Sequence, residues 1–371
     1  MHESHLPVLA RTRRGIEWIA RAEVRARLGV SKVALGHREL RFSVPELTPE
    51  LLELGTVDDV FLVAAELDGA GRRRESLARV AAVAADLDLD GLAGIVGRAG
   101  PRTFDVVGSF LGKRNFSRFE LEDAVGGALA AASGWSYRSR SGGAPARGCL
   151  SLRVHLADSL ATLAVRIADA PLHRRAYRVA SIPGSLHPPL ARALALLAGL
   201  GPGATLVDPF CGAGTIPIEA KLACPGLQAV GFDLDPAALD ATRRNVEAAA
   251  APVVFAIADA AALPIDDRTA DRIATNPPWG AAVGAAGSLA SDPASFTAEL
   301  LRALAPGGRV VVLAPPPSPL GRAARTAMDV LLECRVRVSG AVVSLLVLGR
   351  RGDEAEPIDA GGLFGEHLGR G

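Results

Sequence analysis

The feature that most constrains the fold is a glycine-rich turn in residues 205–215, Thr-Leu-Val-Asp-Pro-Phe-Cys-Gly-Ala-Gly-Thr. The apolar residues before the turn predict a buried strand, and the apolar residues after it predict a helix. Gly212 and Gly214 allow the backbone to come close to a ligand. A strand, a glycine turn and a helix N-terminus together form a cradle for a nucleotide-sized cofactor. The alternative is a glycine turn that only joins a strand to a helix.

Three further apolar runs follow the glycine turn, and each ends in polar residues. The runs end at Asp233, at Asp259 and at the tetrapeptide Asn276-Pro277-Pro278-Trp279. Asp233 lies about twenty residues beyond the glycines, which is the spacing of a ribose-binding acid in nucleotide-binding sheets. Because ligands bind at the carboxyl ends of parallel strands in an open sheet, the four turns predict one common site.

This order of motifs resembles the class I S-adenosylmethionine-dependent methyltransferases over residues 186–350. The resemblance implies a Rossmann-like α/β domain with a seven-stranded sheet whose last strand is antiparallel. It also implies that S-adenosylmethionine is the cofactor, with its methionine end at the glycine turn, its ribose at Asp233 and its adenine at Asp259. On this basis the cofactor-binding residues are expected to be His187, Asp208, Phe210, Cys211, Gly212, Gly214, Thr215, Asp233, Leu234, Asp259, Ala260 and Asn276.

The tetrapeptide Asn276-Pro277-Pro278-Trp279 is similar to that of enzymes that methylate a planar exocyclic amine or an amide nitrogen. The side-chain oxygen of Asn276 and the carbonyl of Pro277 can accept the two hydrogens of such an amine. Trp279 offers a ring face on which a base can stack, which is worth about 1–3 kcal/mol per base. These four residues are therefore the predicted catalytic residues, and the alternative is a buried turn with a core Trp.

Two features leave part of this interpretation open. Residues 281–291 carry no charged side chain, whereas relatives often have a basic residue shortly after the aromatic one. The substrate contacts of this loop and the identity of the methylated base are therefore undecided. Cys211 lies in the cofactor turn rather than beside a substrate motif, so we expect a small packing residue rather than a nucleophile.

The part of the chain before the glycine turn reads as two smaller α+β regions. The opening region, with a helix that begins at Gly15-Ile16-Glu17, is compatible with a ferredoxin-like arrangement. The next region resembles a THUMP domain, an RNA-binding module of several tRNA-modifying enzymes. The predicted boundaries are 1–68 for the ferredoxin-like domain, 69–168 for the THUMP-like domain, 169–185 for a linker, 186–351 for the methyltransferase domain and 352–371 for a flexible tail.

Charge is unevenly distributed along the chain although the net charge is only +1. Residues 1–180 carry 26 basic and 21 acidic residues, and residues 181–371 carry 15 and 19. A basic module joined to a mildly acidic catalytic half suits a polyanionic substrate, and an ordinary solvated surface is the alternative. The predicted contacts to RNA phosphates are Lys113, Arg114, Arg118, Arg138 and Arg140, each of which can equally be a solvated surface charge.

Several classes of protein are disfavoured. The 4 cysteines are widely spaced and form no C-x-x-C pair, which argues against a zinc site or a disulfide framework. The N-terminus has no secretory apolar region, and no apolar run is long enough to span a membrane. We therefore expect a cytoplasmic monomer without a metal.

The motifs together resemble the THUMP-domain-containing class I RNA methyltransferases. This resemblance implies an enzyme that transfers a methyl group to the 2-amino group of guanine in tRNA, with tRNA or another structured RNA as the partner. Three alternatives remain open at this point. They are methylation of a guanine or adenine amine in ribosomal RNA, methylation of a protein glutamine, and an RNA-binding protein whose methyltransferase domain is degenerate.

Overall fold

A computed structural model describes most of the chain, and contacts divide it into two compact units. The first unit comprises Met1–Arg11, Arg41–Glu53 and Asp59–Pro171, and the second comprises Thr12–Leu40, Leu54–Asp58 and Leu172–Gly371. The described residues are 5–98, 100–140, 148–278, 284, 292–316, 318–338, 340–353 and 358. Trp279 and nearly all of the predicted tail lie outside them.

Helices and strands alternate through both units. The helices are α1 (Glu17–Leu28), α2 (Glu75–Ala85), α3 (Leu89–Ile95), α4 (Arg118–Ser133), α5 (Pro188–Ala198), α6 (Thr215–Ala223), α7 (Pro236–Ala249), α8 (Pro293–Ala303) and α9 (Pro319–Ala327), with a 3-10 helix at Pro49–Glu53. The strands are β1 (Leu6–Thr12), β2 (Ala34–Gly36), β3 (Glu39–Val44), β4 (Val57–Leu67), β5 (Thr103–Phe110), β6 (Ser136–Tyr137), β7 (Leu150–Ala157), β8 (Leu160–Arg166), β9 (Thr205–Asp208), β10 (Gln228–Asp233), β11 (Val254–Ile257), β12 (Ala270–Thr275), β13 (Leu304–Ala314), β14 (Asp329–Val338) and β15 (Ala341–Gly349).

The first unit contains most of an eight-stranded sheet in the order β2-β3-β1-β4-β8-β7-β5-β6. Antiparallel pairing of β4 with β8 joins strands that the sequence assigns to separate ferredoxin-like and THUMP-like domains. The core against this sheet contains Val80 of α2, Leu121 and Val125 of α4, and Phe104 and Val106 of β5. Strands from both regions therefore belong to one sheet, and the proposed division at residue 68 stays a prediction.

The second unit contains a seven-stranded sheet in the order β11-β10-β9-β12-β13-β15-β14. Strands β9 to β13 pair in parallel with their neighbours. The exception is β15, which runs antiparallel to both β13 and β14. Alternation of strands and helices along the chain produces this parallel arrangement, because a helix returns the chain to the same edge of the sheet. The predicted Rossmann-like α/β fold is confirmed.

Helix α1 belongs to the second unit rather than to the first. Its apolar face, with Ile16 and Ile19, is fully buried in the same core as Leu190 and Leu194 of α5. The helix has the amphipathic pattern that the sequence predicts, but the pattern does not reveal which surface covers it. Contacts group residues 12–40 with the seven-stranded sheet, and the proposed 1–68 domain stays a prediction.

Two local elements depart from regular helix and strand geometry. The segment Pro49–Glu53 forms a short 3-10 helix. The residues Pro306, Gly307 and Gly308 lie within β13, which begins at Leu304 and shifts its register against β12 between Ala270 and Arg272. In the part of the chain that the structure describes, no helix is long and apolar enough to cross a membrane.

Candidate functional site at the carboxyl edge of the seven-stranded sheet

The four predicted motifs lie at the ends of four adjacent parallel strands. Asp208 ends β9, Asp233 ends β10, Asp259 lies two residues after the end of β11, and Asn276 directly follows β12. The strand order β11-β10-β9-β12 brings these ends side by side, and the register aligns Asp208 with Gly231 and Asp233 with Ile257. The loops therefore open on the same edge of the sheet, where ligands of open parallel sheets bind.

The turn between β9 and α6 is shaped by its two glycines. Gly212 and Gly214 have φ angles of 55° and 76°, in the left-handed region that favours glycine. Gly214 is the N-cap of α6, and Thr215 is the first residue of that helix. A Cβ at Gly214 would lie 3.0 Å from the Thr242 side chain, so the loop backbone is tightly packed there. The N–H of Gly212 donates to Oδ2 of Asp233 over 2.9 Å, which ties the turn to the end of β10.

Asp208 is a buried carboxyl without a cationic partner among the described residues. It is 1% exposed, and its Oδ1 accepts a hydrogen bond from the N–H of Phe210 at 3.1 Å. The pKa of Asp208 is raised to about 7, chiefly by burial and to a smaller extent by the nearby charge of Asp233, and against the lowering effect of the Thr275 hydroxyl and the Phe210 N–H. Neither Oδ2 of Asp208 nor the Thr275 hydroxyl has a hydrogen-bond partner of good geometry in the described structure.

Cys211 has the surroundings of a packing residue. Its side chain lies over Gly231, where an added Cβ would come within 2.9 Å of the Cys211 Cβ and 3.0 Å of its Sγ. Burial raises the pKa of the Cys211 thiol well above its usual value, so the reactive thiolate is disfavoured. These observations support the expectation that Cys211 fills space beneath the turn.

Helix α7 supplies two buried polar residues that the sequence reasoning missed. The Thr242 hydroxyl donates to the carbonyl of Gly212 at 2.7 Å. The Asn245 amide donates to the carbonyls of Ala213 and Ala180, at 2.9 Å and 3.0 Å, and its oxygen accepts from the N–H of Ala180. Both side chains are fully buried. The sequence did contain a signal for them, namely two polar residues on the apolar face of an amphipathic helix. Buried polar groups need specific partners, so such residues indicate hydrogen bonds to a neighbouring segment.

The predicted ribose and adenine positions lie on one side of the glycine turn, after β10 and β11. Leu234 directly follows Asp233 and is 39% exposed, an accessible apolar side chain beside the acid. Asp259 is half-buried and accepts a hydrogen bond from the N–H of Ala261 at 3.0 Å, while Ala260 is buried. Phe210 is half-buried and packs edge-on against another ring, Phe296, with centroids 5.2 Å apart.

The predicted catalytic tetrapeptide follows β12 directly. Asn276 and Pro278 are half-buried, and Pro277 is buried. Because β12 pairs with β9, these residues emerge next to the strand that carries Asp208. Trp279 lies outside the described residues, so its stacking role stays a prediction.

His187 lies at the start of α5 within a cluster of titratable side chains. It is the N-cap of that helix but forms no side-chain cap hydrogen bond. Its ring stacks on His173 with centroids 5.1 Å apart, and its Nδ1 lies 3.6 Å from Oδ1 of Asp58. Burial, and then the positive charge of Arg13, lower the pKa of His187 to about 3, so the ring is neutral at pH 7. The expected role of His187 at the cofactor stays a prediction.

Glu219 organises the segment that leads into α5. It is fully buried in α6 and accepts hydrogen bonds from Arg175 Nε at 2.8 Å, the Tyr177 hydroxyl at 2.9 Å and Arg192 Nε at 2.9 Å. Burial raises the pKa of Glu219, but the charges of Arg192 and Arg175 outweigh burial, so the pKa falls below its usual value. The group is a structural ion cluster.

The basic residues predicted to contact RNA have different surroundings in the first unit. Arg114 donates to the carbonyls of Ala70, Gly71 and Asp158, and Arg140 pairs with the buried carboxylate of Asp105 at 2.7 Å. Those two guanidiniums already hold internal partners. Lys113, Arg118 and Arg138 are exposed, and they stay the predicted phosphate contacts of this unit.

Comparison with known protein families gives a match within the second unit. Residues 175–341 match the model of a family described as the RMKL-like methyltransferase domain. The match contains the glycine turn, both acids and the Asn-Pro-Pro-Trp tetrapeptide. The match begins at residue 175 and does not include the N-terminal regions, so the THUMP-like and ferredoxin-like assignments stay predictions.

Individual relatives agree with the family match. A tRNA (guanine(6)-N2)-methyltransferase of Thermus thermophilus is 35% identical over 226 residues, which are 60% of this chain and 65% of the relative. A tRNA (guanine(10)-N2)-dimethyltransferase of Methanothermobacter thermautotrophicus is 36% identical over 135 residues, which are 36% of this chain and 39% of the relative. The chain thus spans just under two thirds of the first relative and less of the second.

One solved structure is similar to this chain well beyond residues 175–341. The crystal structure of TrmN from Thermus thermophilus matches with a TM-score of 0.77 and 29% identity. The match covers 93% of this chain and 100% of that chain. The similarity in fold therefore includes the N-terminal regions.

Proposed function

We propose that this chain, whose residues 175–341 match the RMKL-like methyltransferase domain family, transfers a methyl group from S-adenosylmethionine to the 2-amino group of guanine in tRNA. One observation carries the proposal. The glycine turn, Asp233, Asp259 and Asn276-Pro277-Pro278 stand at the ends of four neighbouring parallel strands. This arrangement supports a cofactor cradle and an amine-binding turn that share one edge of the sheet.

The residues at this edge fit S-adenosylmethionine. When bound, that cofactor supplies an electrophilic methyl group on a positively charged sulfur. Gly212 and Gly214 leave room for close approach along the turn, and Asp233 and Asp259 present acceptors for hydroxyl and amine hydrogens. Asp208 is a buried carboxyl with an oxygen that lacks a well-placed partner in the described structure, and a positively charged ligand would stabilise its ionised form.

The turn after β12 fits a planar amine. An aromatic amine is a poor nucleophile because its lone pair is delocalised into the ring. The Asn276 oxygen and the Pro277 carbonyl accept the amine hydrogens and hold the nitrogen in one orientation. Pro277 and Pro278 offer no backbone N–H that would compete for these acceptors. Positioning of this kind can supply about 7–11 kcal/mol of a reaction barrier, so no general base is required.

The names of the relatives support RNA guanine as the substrate. Both curated relatives described above are tRNA guanine-N2 methyltransferases. In this chain the target base would leave its stack to reach the turn, at a cost of a few kcal/mol. The exposed Lys113, Arg118 and Arg138 of the first unit would contact the phosphates. We further propose that the protein acts in the cytoplasm as a monomer.

Methyl transfer to unmodified tRNA tests the proposal. The purified protein is incubated with labelled S-adenosylmethionine and total RNA from a strain that lacks its gene, and the tRNA is digested to nucleosides. We expect labelled N2-methylguanosine from the wild type, a loss of at least a hundredfold in rate for Asn276→Ala, and full activity for the exposed control Asp240→Ala. If the label appeared in ribosomal RNA or in protein instead, that molecule and not tRNA would be the substrate. Binding of S-adenosylmethionine without any transfer would favour the RNA-binding alternative.

A further inference from the structure

Exposed arginines of the second unit gather at the carboxyl end of β14, the edge strand of the seven-stranded sheet. Arg335 and Arg337 are exposed and lie two residues apart, so they stand on the same face of the strand. The loop before α1 runs along the free edge of β14, where the N–H of Arg337 donates to the carbonyl of Arg14 at 3.4 Å. A Cβ at Gly15 would overlap the Arg335 carbonyl oxygen, so the two backbones are in direct contact. Arg14 therefore lies beside the pair, and its side chain is exposed too.

Helix α9 adds a further arginine to this group. Arg325 of the helix binds Glu333 of β14 at 2.7 Å, which fixes the helix against the strand. Arg322 is exposed one turn earlier, on the same side of the helix. Because a helix between two parallel strands begins at their carboxyl edge, Arg322 lies on the Arg335 side of the Arg325–Glu333 pair. The name arginine edge is used below for the exposed side chains of Arg14, Arg322, Arg335 and Arg337.

Two acids near the arginine edge are already engaged. Glu333 is bound by Arg325, so the charges of that pair cancel. The carboxylate of Glu17 accepts the backbone N–H groups of Gly15 and Arg38, at 2.7 Å and 3.2 Å. Among the described residues, the side chains of the arginine edge form no hydrogen bond and no ion pair. Like charges that are close together repel one another, so this surface favours a polyanionic partner.

The arginine edge lies at the same edge of the sheet as the predicted catalytic turn. Since β15 is antiparallel to both β13 and β14, β14 runs in the same direction as β12 and β13. The register through β13 and β15 places Thr275, the last residue of β12, in one row with Glu333. Arg335 and Arg337 follow Glu333 towards the carboxyl end, as Asn276 follows Thr275. Three strand spacings of about 4.8 Å separate the two strands, so the arginine edge begins roughly 14 Å from the turn.

We propose that the arginine edge binds the phosphate backbone of the RNA substrate. A guanidinium presents planar, paired N–H donors that match the oxygens of a phosphate. Phosphate contacts at this distance from the turn hold the RNA in position while the target base occupies the turn. Residues 281–291, which follow the tetrapeptide closely, carry no charge, and the arginine edge supplies the cations that this loop lacks. The inference rests on the proposed function, since it takes RNA as the substrate, and it adds a surface of the second unit to the phosphate contacts predicted in the first.

Salt-dependent tRNA binding tests the arginine edge. Affinity for unmodified tRNA is measured between about 50 and 200 mM salt for the wild type and for the quadruple variant Arg14→Gln/Arg322→Gln/Arg335→Gln/Arg337→Gln. Each lost phosphate contact lowers the slope of log affinity against log salt by about 1, so we expect the slope to fall by about 2–4. The affinity at the lowest salt should fall at least about tenfold, and the KM for tRNA should rise while kcat stays unchanged. A variant with Lys at the same positions should recover most of the slope, since it keeps the charge.

A pair of matched variants controls for the loss of positive charge. Arg268→Gln/Arg351→Gln removes two exposed arginines at the opposite edge of the sheet, before β12 and after β15, and should leave the slope unchanged. Arg335→Gln/Arg337→Gln removes the same charge from the arginine edge and should lower the slope by about 2. Both double variants should keep the melting temperature and the S-adenosylhomocysteine affinity of the wild type, because the changed side chains are exposed.

The outcomes separate this inference from the proposed function. Equal slopes for the two double variants, with a wild type that methylates tRNA, would overturn the arginine edge and leave the proposed function intact. If the two slopes differed as expected but the wild type transferred no methyl group to any RNA, the arginine edge would stand as an RNA-binding surface and the proposed function would fail.

Discussion

Two buried carboxyl groups of the second unit have opposite pKa shifts although both are almost inaccessible to solvent. Glu219 is 0% exposed and Asp208 is 1% exposed. Glu219 lies against two guanidiniums, and its pKa is lowered in spite of burial. Asp208 has no cationic partner in the described structure, and its pKa is raised to about 7. The difference is therefore caused by the neighbouring charges and not by the degree of burial.

The comparison distinguishes a structural acid, Glu219, from Asp208, which we propose binds the cofactor. Glu219 has hydrogen-bond donors from two guanidiniums and a phenol, so its charge is compensated within the protein. Asp208 stands at the end of β9, beside the glycine turn, where a positively charged ligand is expected. An uncompensated buried acid reduces stability, and such a cost is typical of functional sites.

The largest expected effect follows from neutralising Glu219. Glu219→Gln removes the charge that compensates Arg175 and Arg192, and breaking a buried ion cluster typically costs about 3–5 kcal/mol. We expect this loss in the free energy of unfolding, measured by urea denaturation at pH 7. The surface variant Asp240→Asn should change little. The loss should vanish in acid, because a carboxylate with a lowered pKa stabilises the protein only above that pKa.

Neutralising Asp208 should have the opposite effect on stability. Its pKa rises from 3.8 in the unfolded chain to about 7 in the folded protein, so the wild type loses stability as the pH rises through this range. Asp208→Asn removes that loss and should stabilise the protein at pH 8 by about 4 kcal/mol. Near pH 4 the variant and the wild type should unfold alike. Equal stability at both pH values would contradict an uncompensated acid at this position.

A smaller change should follow from Thr275→Val. The Thr275 hydroxyl lowers the pKa of Asp208, so its removal should raise that pKa. The variant would therefore lose stability up to a higher pH than the wild type does. At pH 8 its free energy of unfolding should be lower by about 0.5–1.5 kcal/mol. The shift is measured by denaturation across the pH range with Asp208→Asn as the reference. A downward shift would show that the hydroxyl does not face the carboxyl.

The smallest expected effects concern two basic residues of the first unit, one with internal partners and one exposed. Arg114 donates to three backbone carbonyls, whereas Lys113 is exposed. We expect Arg114→Gln to lower the melting temperature, and Lys113→Gln to lower tRNA affinity a few-fold without a change in melting. The opposite pattern would mean that Arg114 exchanges its internal partners for RNA.

The sequence predicts the catalytic fold well because its signals are local. Each apolar run from Thr205 to Thr275 becomes a strand, and each polar residue at its end stands at the sheet edge. Contacts between distant segments leave no such signal. The burial of α1 in the core that also contains α5 and the bonds of Asn245 to Ala180 depend on which surfaces meet, and an amphipathic pattern does not specify its partner.

Charge counts have a similar limit. They predict that the N-terminal half is basic, but they do not show which cations already have partners. Arg114 and Arg140 are bound internally, whereas Arg335 and Arg337, which the sequence reasoning did not select, are exposed and form no ion pair with another described residue. Whether a charged side chain can bind a ligand depends on its neighbours in space. Spacing along the chain does not identify those neighbours.

Titration of S-adenosylmethionine into the wild type and Asp208→Asn at pH 8, followed by calorimetry, tests the central claim most directly. The claim is that Asp208 is a binding acid that is uncompensated until a cationic ligand is present. We predict that the variant binds at least about tenfold more weakly, as expected for a lost charged interaction, while it melts at a higher temperature. Equal affinity of the two proteins would contradict the claim and would make Asp208 a structural residue like Glu219.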